Sequence, residues 1–218
     1  MAYQITKIDK LLVDEFGDKK LKKHNDPIGE LVRTILSQNT ADVNRDKAYN
    51  RLRENFPRWE QIADANVASI KAQIKPGGLS AVKAPRIKKI LNQIRDGNGR
   101  IDLSKLKILT VEEGLNYLTS FNGVGVKTAA CVLLFSYGKE VFPVDTHIYR
   151  TAKRIGLVND RADREKVFMA MNDIVPGKMA YRLHLNMIQL GRKICRPKRP
   201  LCEVCPLNEL CDSAYKVK

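Results

Sequence analysis

Hydrophobic positions recur at three- and four-residue intervals along nearly the whole chain, the spacing of one face of an α-helix. In residues 7–16 that face carries Ile8, Leu11, Leu12 and Phe16. Asp26-Pro27 reads as the start of a second helix, because proline suits a first turn whose N–H groups lack helical partners. Ile28, Leu31, Val32, Ile35 and Leu36 form its stripe. Asp42 is placed to cap a third helix carrying Val43, Lys47 and Leu52. A shorter helix over 65–74 ends at Pro76-Gly77-Gly78. Another over 84–95, with Ile87, Ile90, Leu91 and Ile94, is stopped by Gly97-Asn98-Gly99. The pattern returns at 111–119, 126–137, 145–155, 163–174 and 178–191. No stretch alternates as a half-buried strand does. The chain is therefore predicted to be all-α, with about ten short helices and no solenoid repeat or low-complexity linker.

The 218 residues are enough for one or two domains with a real core. A hydrophobic fraction of 44% and a charged fraction of 29% fit an ordinary globular protein and argue against long disorder. No apolar run approaches the roughly 20 residues of a bilayer span, so no membrane partner is expected. The opening MAYQITKIDKLLVDEFGDKK lacks the apolar core of a signal peptide. A reducing, cytoplasmic (nucleoid-associated) location is therefore expected, where cysteines more often bind metals than form disulfides.

Charge changes the picture. Lys plus Arg number 39 against 24 Asp plus Glu, a net charge of +15. Such an excess points to a polyanion, with nucleic acid first, because neutralised phosphates release condensed counterions. The basic residues cluster at Lys19, Lys20, Lys22 and Lys23, at Lys83, Arg86, Lys88 and Lys89, and at Arg192, Lys193, Arg196, Lys198 and Arg199. They are interleaved with core-forming residues, so they are expected on a folded surface rather than in one disordered tail.

Four of the five cysteines, Cys195, Cys202, Cys205 and Cys211, crowd into the last 24 residues, separated by six, two and five positions. Pro197, Pro200 and Pro206 prevent a continuous helix there. Four thiolates in this window can converge on one metal centre. Two disulfides and a tetrahedral zinc are the alternatives. Zinc sites usually use two short knuckles and this spacing gives one, whereas the looser spacing suits an iron–sulfur cluster. Cys131, inside the apolar run Ala129–Leu134, reads as a buried small hydrophobe.

Residues 118–130 read as helix, tight turn, helix. Gly123 and Gly125 permit backbone angles that other residues resist, and they let the chain approach a phosphate at the N-terminus of the next helix. By itself such a turn often does no more than reverse the chain. Lys127 follows, and eighteen residues after it stands Asp145, within Pro143-Val144-Asp145-Thr146-His147. Asp145 there is either a plain N-cap or a functional carboxylate.

Taken together, Gly123-Val124-Gly125, Lys127, the 143–147 segment and the C-x6-C-x2-C-x5-C tail resemble the endonuclease III branch of helix-hairpin-helix DNA glycosylases. The resemblance runs from about residue 28 to 211. It implies two helical domains with a DNA cleft between them. Residues 24–137 would form a six-helix barrel holding the hairpin. Residues 1–23 with 138–218 would form a discontinuous domain holding a [4Fe-4S] cluster in loop 195–211. Cys195, Cys202, Cys205 and Cys211 would be its ligands.

The same resemblance makes Lys127 the nucleophile that displaces a damaged base and forms a Schiff base, with β-elimination cutting the strand. At an ordinary lysine pKa near 10.4, only about one side chain in 2,500 is neutral at pH 7. A value near 8 raises that to roughly one in ten, for about 3 kcal/mol of differential interaction. Asp145 would stabilise positive charge developing on the sugar. His147 is expected to make a structural hydrogen bond. Ser37-Gln38-Asn39-Thr40 and Gly78-Leu79-Ser80 align with the loops that fill the hole left by an extruded base. Asn39 stands where glutamine is usual, which leaves Gln38 and Asn39 both as candidates, and Leu79 fits an apolar wedge. Gly123, Val124, Gly125, Lys198 and Arg199 complete the expected DNA contacts. Asn122 replaces a common proline. The implied protein is a monomeric glycosylase/AP lyase for oxidised pyrimidines, acting on double-stranded DNA with damaged bases or abasic sites. A same-fold enzyme for mismatched, deaminated or alkylated bases, and a non-catalytic DNA-binding iron–sulfur protein, are the alternatives.

Overall fold

The computed structural model of the chain describes residues 2–216. Among them are eleven α-helices and no β-strand; one isolated bridge joins Arg95 and Ile101. Among the described residues no helix is long and apolar enough to cross a membrane. The chain divides into two compact units, Lys23–Tyr137 and Met1–Lys22 with Gly138–Lys218.

The middle unit holds α2 (Pro27–Leu36), α3 (Asp42–Asn55), α4 (Trp59–Asp64), α5 (Val67–Ile74), α6 (Ser80–Ile94), α7 (Val111–Thr119) and α8 (Val126–Tyr137). Its centre is α8, whose residues 128–134 are all buried, Cys131 included. A helix apolar on every side must be surrounded, and here α2 and α7 pack against it. Gly114 of α7 lies so close that a Cβ there would stand 2.9 Å from a Leu133 methyl. Asp26 caps α2 as expected, accepting from the Gly29 N–H at 2.8 Å.

Three expectations for this unit need correction. Asp42 does not cap α3: the N-cap is Ala41, and Asp42 is the first helical residue, where its charge pairs with Arg45 at 2.9 Å. Val43 is 78% exposed and contributes nothing to the core. The helix expected at 84–95 begins at Ser80 and carries Pro85 inside it. A six-residue helix at 59–64 is too short to show a period and had no counterpart in the pattern.

In the other unit, α1 (Ala2–Phe16), α9 (Thr146–Ile155), α10 (Arg164–Ile174) and α11 (Ala180–Lys193) are followed by the cysteine-rich segment. Arg182 of α11 grips the buried Asp9 of α1, with Nε–Oδ1 at 3.1 Å and Nη2–Oδ2 at 2.6 Å. Helices α9 and α11 pack closely: a Cβ on Gly191 would lie 2.7 Å from the His147 Cβ.

Candidate functional site

The hairpin at 120–125 is built by two helices with different ends. A capping box between Thr110 and Glu113 fixes the start of α7, and Ser120 closes it. The chain then turns through Phe121–Val124, where the Val124 N–H donates to the Phe121 carbonyl at 2.9 Å. Gly123 has φ +91°, a region that L side chains rarely enter, and a Cβ there would stand 2.3 Å from Arg86 Nε. Gly125 differs from the expectation for it: its φ is not positive, and a Cβ there would meet nothing within 4 Å. Among the described residues nothing calls for glycine at that position. Val124 is buried, with its side chain in the core. Lys127 is the second residue of α8 and is half-buried, near the positive end of the helix dipole.

Two further turns of the same unit carry Gln38, Asn39 and Leu79, and helix α6 organises both. Leu79 precedes α6 with φ +49° and is 54% exposed, an apolar side chain in a strained backbone pointing out of the core. Asn39 also has positive φ (51°) and is exposed, whereas Gln38 is half-buried and its Oε1 accepts from Arg86 Nη1 at 3.0 Å. The two candidate amides are thus distinct: one is held by an arginine, the other projects from a left-handed turn.

Lys83 corrects the reading of the basic clusters. It is 1% exposed, and its ammonium donates to the Leu36 carbonyl at 2.7 Å, Thr40 Oγ1 at 2.8 Å and the Gly77 carbonyl at 2.9 Å. Three N–H groups thus meet three oxygens. Burial pulls this lysine down to about 8, helped by the nearby Arg86 charge. The signal was present in the sequence, since Lys83 stands four residues before Ile87 and seven before Ile90, on the apolar stripe.

In the other unit, Asp145 is the N-cap of α9. Its Oδ1 accepts from the backbone N–H groups of His147 at 2.9 Å and Ile148 at 2.8 Å. A carboxylate in that position is favoured by the helix dipole. His147 Nδ1 meets Arg150 Nη2 at 3.3 Å.

One turn further along, α9 reaches the cysteines. Arg150 donates to the carbonyls of Gly191 at 2.7 Å and Cys195 at 3.0 Å. Arg154 donates to the carbonyls of Arg196 and Pro197 at 2.6 and 2.9 Å, and lies 3.5 Å from Cys195 Sγ. At the helix's end the Cys211 thiol donates to the Arg154 carbonyl at 3.1 Å, and Gly156, with φ +89°, lies against Asp212. These arginines carried no motif; only their i, i+4 spacing marks them as sharing a face.

Cys195, Cys202, Cys205 and Cys211 line one cavity of about 340 Å3, counted with its open mouth, together with Ile194, Pro200 and Leu201. Among the described residues no three His, Cys, Asp or Glu side chains close to the spacing of a single metal ion. Burial pushes the Cys205 thiol up to about 11 and raises Cys211 as well. A metal taking these thiolates must therefore displace protons. The four cysteines share this one almost wholly apolar lining. Lys198 and Arg199 project from the exposed loop between the first two cysteines, Arg199 with φ +49°.

Residues 32–177 match the family described as HhH-GPD superfamily base excision DNA repair protein, and residues 195–211 match the iron-sulfur binding domain of endonuclease III. A putative DNA glycosylase of Arabidopsis thaliana is 41% identical over 165 residues; the match covers 76% of this chain but only 56% of the plant protein. Endonuclease III of Thermotoga maritima is 33% identical over 190 residues, covering 87% of this chain and 84% of that one. Among solved structures, a trapped endonuclease III–DNA covalent intermediate superposes with a TM-score of 0.85 at 27% identity, over 99% of this chain and 98% of that one. A thermostable thymine-DNA glycosylase shares the fold, with a TM-score of 0.81 at 21% identity over 98% of each chain.

Proposed function

From the premise that this chain belongs to the HhH-GPD superfamily of base excision DNA repair proteins, as a DNA glycosylase of the endonuclease III type, we propose that it is bifunctional, removing oxidised pyrimidines from double-stranded DNA and cutting the strand at the resulting site. Lys127 is the nucleophile in this reading. Its neutral amine attacks C1′, the base departs with the electron pair of the glycosidic bond, and loss of a proton from nitrogen with opening of the sugar ring gives a Schiff base. Removal of a C2′ proton then expels the 3′ phosphate by β-elimination, and water releases the lysine. Asp145, whose Oδ1 accepts two backbone N–H groups, stabilises positive charge on the sugar as the base leaves.

The observation that carries the reading is the position of Lys127 in the first turn of α8, two residues beyond a glycine that the fold itself does not require. Open space over Gly125 leaves room for a phosphate oxygen against the backbone. The four cysteines around one cavity, within a segment matching the iron-sulfur binding domain, support a [4Fe-4S] cluster as resident cofactor. Its part is structural, with Lys198 and Arg199 presented to the phosphate backbone.

Borohydride reduction tests the mechanism. Wild-type protein should form a covalent adduct with duplexes carrying thymine glycol or an abasic site, and Lys127→Ala should form none. Full trapping by that variant refutes the assignment. Base release without trapping by the wild type makes the enzyme a monofunctional glycosylase. A panel with mismatched, deaminated and alkylated bases settles the lesion class.

A further inference from the structure

Two exposed side chains in left-handed turns, Asn39 and Leu79, stand on segments 40 residues apart in sequence, and one buried group touches the frame of both. Lys83 Nζ reaches the last carbonyl of α2 (Leu36), the hydroxyl of Thr40 and the carbonyl of Gly77. Those atoms bracket Asn39 on both sides and lie two residues before Leu79. The Thr40 hydroxyl itself donates to the Gly77 carbonyl, which closes the set. One turn along α6, Arg86 holds Gln38 through its amide oxygen and lies against Gly123 of the hairpin. Among the described residues no carboxylate is a partner of Lys83, so ion pairing does not account for keeping an ammonium group there. Binding two turns together does: an ammonium group with three donors at a single point joins the three oxygens of the two turns.

We propose that Lys83 is a positioning residue that locks the 37–40 turn to the 77–79 turn, so that Asn39 and Leu79 enter a duplex as one preformed wedge. This rests on the reading of the protein as a base-extruding glycosylase. An extruded nucleotide leaves a gap that must be filled on insertion. Side chains already fixed in place fill it without an ordering cost at the moment of binding. Two loops that moved independently would each have to be ordered on the DNA.

The test uses the full chain with its cluster, as wild type, Lys83→Met and Thr40→Val. Hydrogen exchange is followed over residues 36–41 and 76–81. Affinity is measured for a duplex containing a tetrahydrofuran abasic analogue and for the same duplex undamaged. In Lys83→Met both segments should exchange faster together, while α8 and the other unit keep their protection. Preference for the tetrahydrofuran duplex should fall by about tenfold, with binding to undamaged DNA unchanged. Thr40→Val leaves the lysine in place but removes its middle partner; it should show the same coupled loosening to a smaller extent and serves if Lys83→Met does not fold. Exchange that rises in only one segment, or in neither, overturns the proposal. So does coupled loosening with the lesion preference intact. A wild type with no preference for the tetrahydrofuran duplex refutes the glycosylase reading and the proposal with it. A wild type whose preference survives in the variants refutes the proposal alone.

Discussion

Burying the Lys83 ammonium without a carboxylate has a measurable consequence for stability against pH. The unfolded chain holds its proton up to the ordinary value of 10.5, while the folded protein releases it near 8. Below pH 8 both states are protonated, and the cost of the buried charge is fully present and constant. Between 8 and 10.5 the unfolded state binds more protons than the folded one, so stability rises with pH. Above 10.5 both are neutral and the cost has gone. About two and a half pH units at about 1.36 kcal/mol each give roughly 3 kcal/mol across the window. A neutral amine still has two N–H donors, so contacts to two of the three oxygens survive the proton's loss. Other groups titrate in the same range; burial raises Tyr137, for one, which lowers stability as the pH climbs. Comparison with Lys83→Met cancels them. Urea unfolding of both proteins at intervals from pH 7 to 10.5 should show wild type gaining on the variant by about 3 kcal/mol. A constant difference between the two would refute the claim that the lysine is buried as a cation at neutral pH.

Gly123→Ala should cost about 2 kcal/mol or more, from a positive φ and a methyl placed against Arg86, whereas Gly125→Ala should stay within about 1 kcal/mol of wild type while weakening duplex binding; denaturant midpoints and a binding titration check both. Asp145→Ala removes the cap of α9 and should cost about 1 kcal/mol, while Asp145→Asn retains a capping oxygen and should hold stability. Its kcat should nonetheless drop by about a hundredfold with the loss of charge, and unchanged turnover would make Asp145 a cap alone. Cys202→Ser should yield poorly folded protein without visible absorbance, and a soluble variant keeping wild-type colour would remove Cys202 from the ligand set.

The apolar stripes of α2 and α8 were legible because core packing and helical period act on the same residues; the Asp26-Pro27 start was legible because capping chemistry is local. The six residues of α4 span less than two turns, too few to express a period. The first turn of α6 was hidden because Pro85 suggests a boundary just before it, and because the helix begins from a left-handed leucine where glycine would be the usual choice. Lys83 was misplaced by reading charge as exposure. Its partners are two carbonyls and a hydroxyl on other segments, and no local pattern announces a carbonyl. The same limit applies to Arg150 and Arg154. Cysteine spacing identified the loop, but what holds the loop in place belongs to a helix some forty residues earlier.

Helix α9 is anchored at both ends by different chemistry, the Asp145 cap at one and the grip on the cysteine segment at the other. That fixes its length. Adding or deleting a single residue inside it would swing the carboxylate by about 100° around the axis relative to the arginines, and no adjustment of side chains restores such a turn. Between Pro197 and Leu201 the exposed chain can be lengthened with little effect on either anchor. Chain length in this half of the molecule is negotiable in the loop and fixed in the rod.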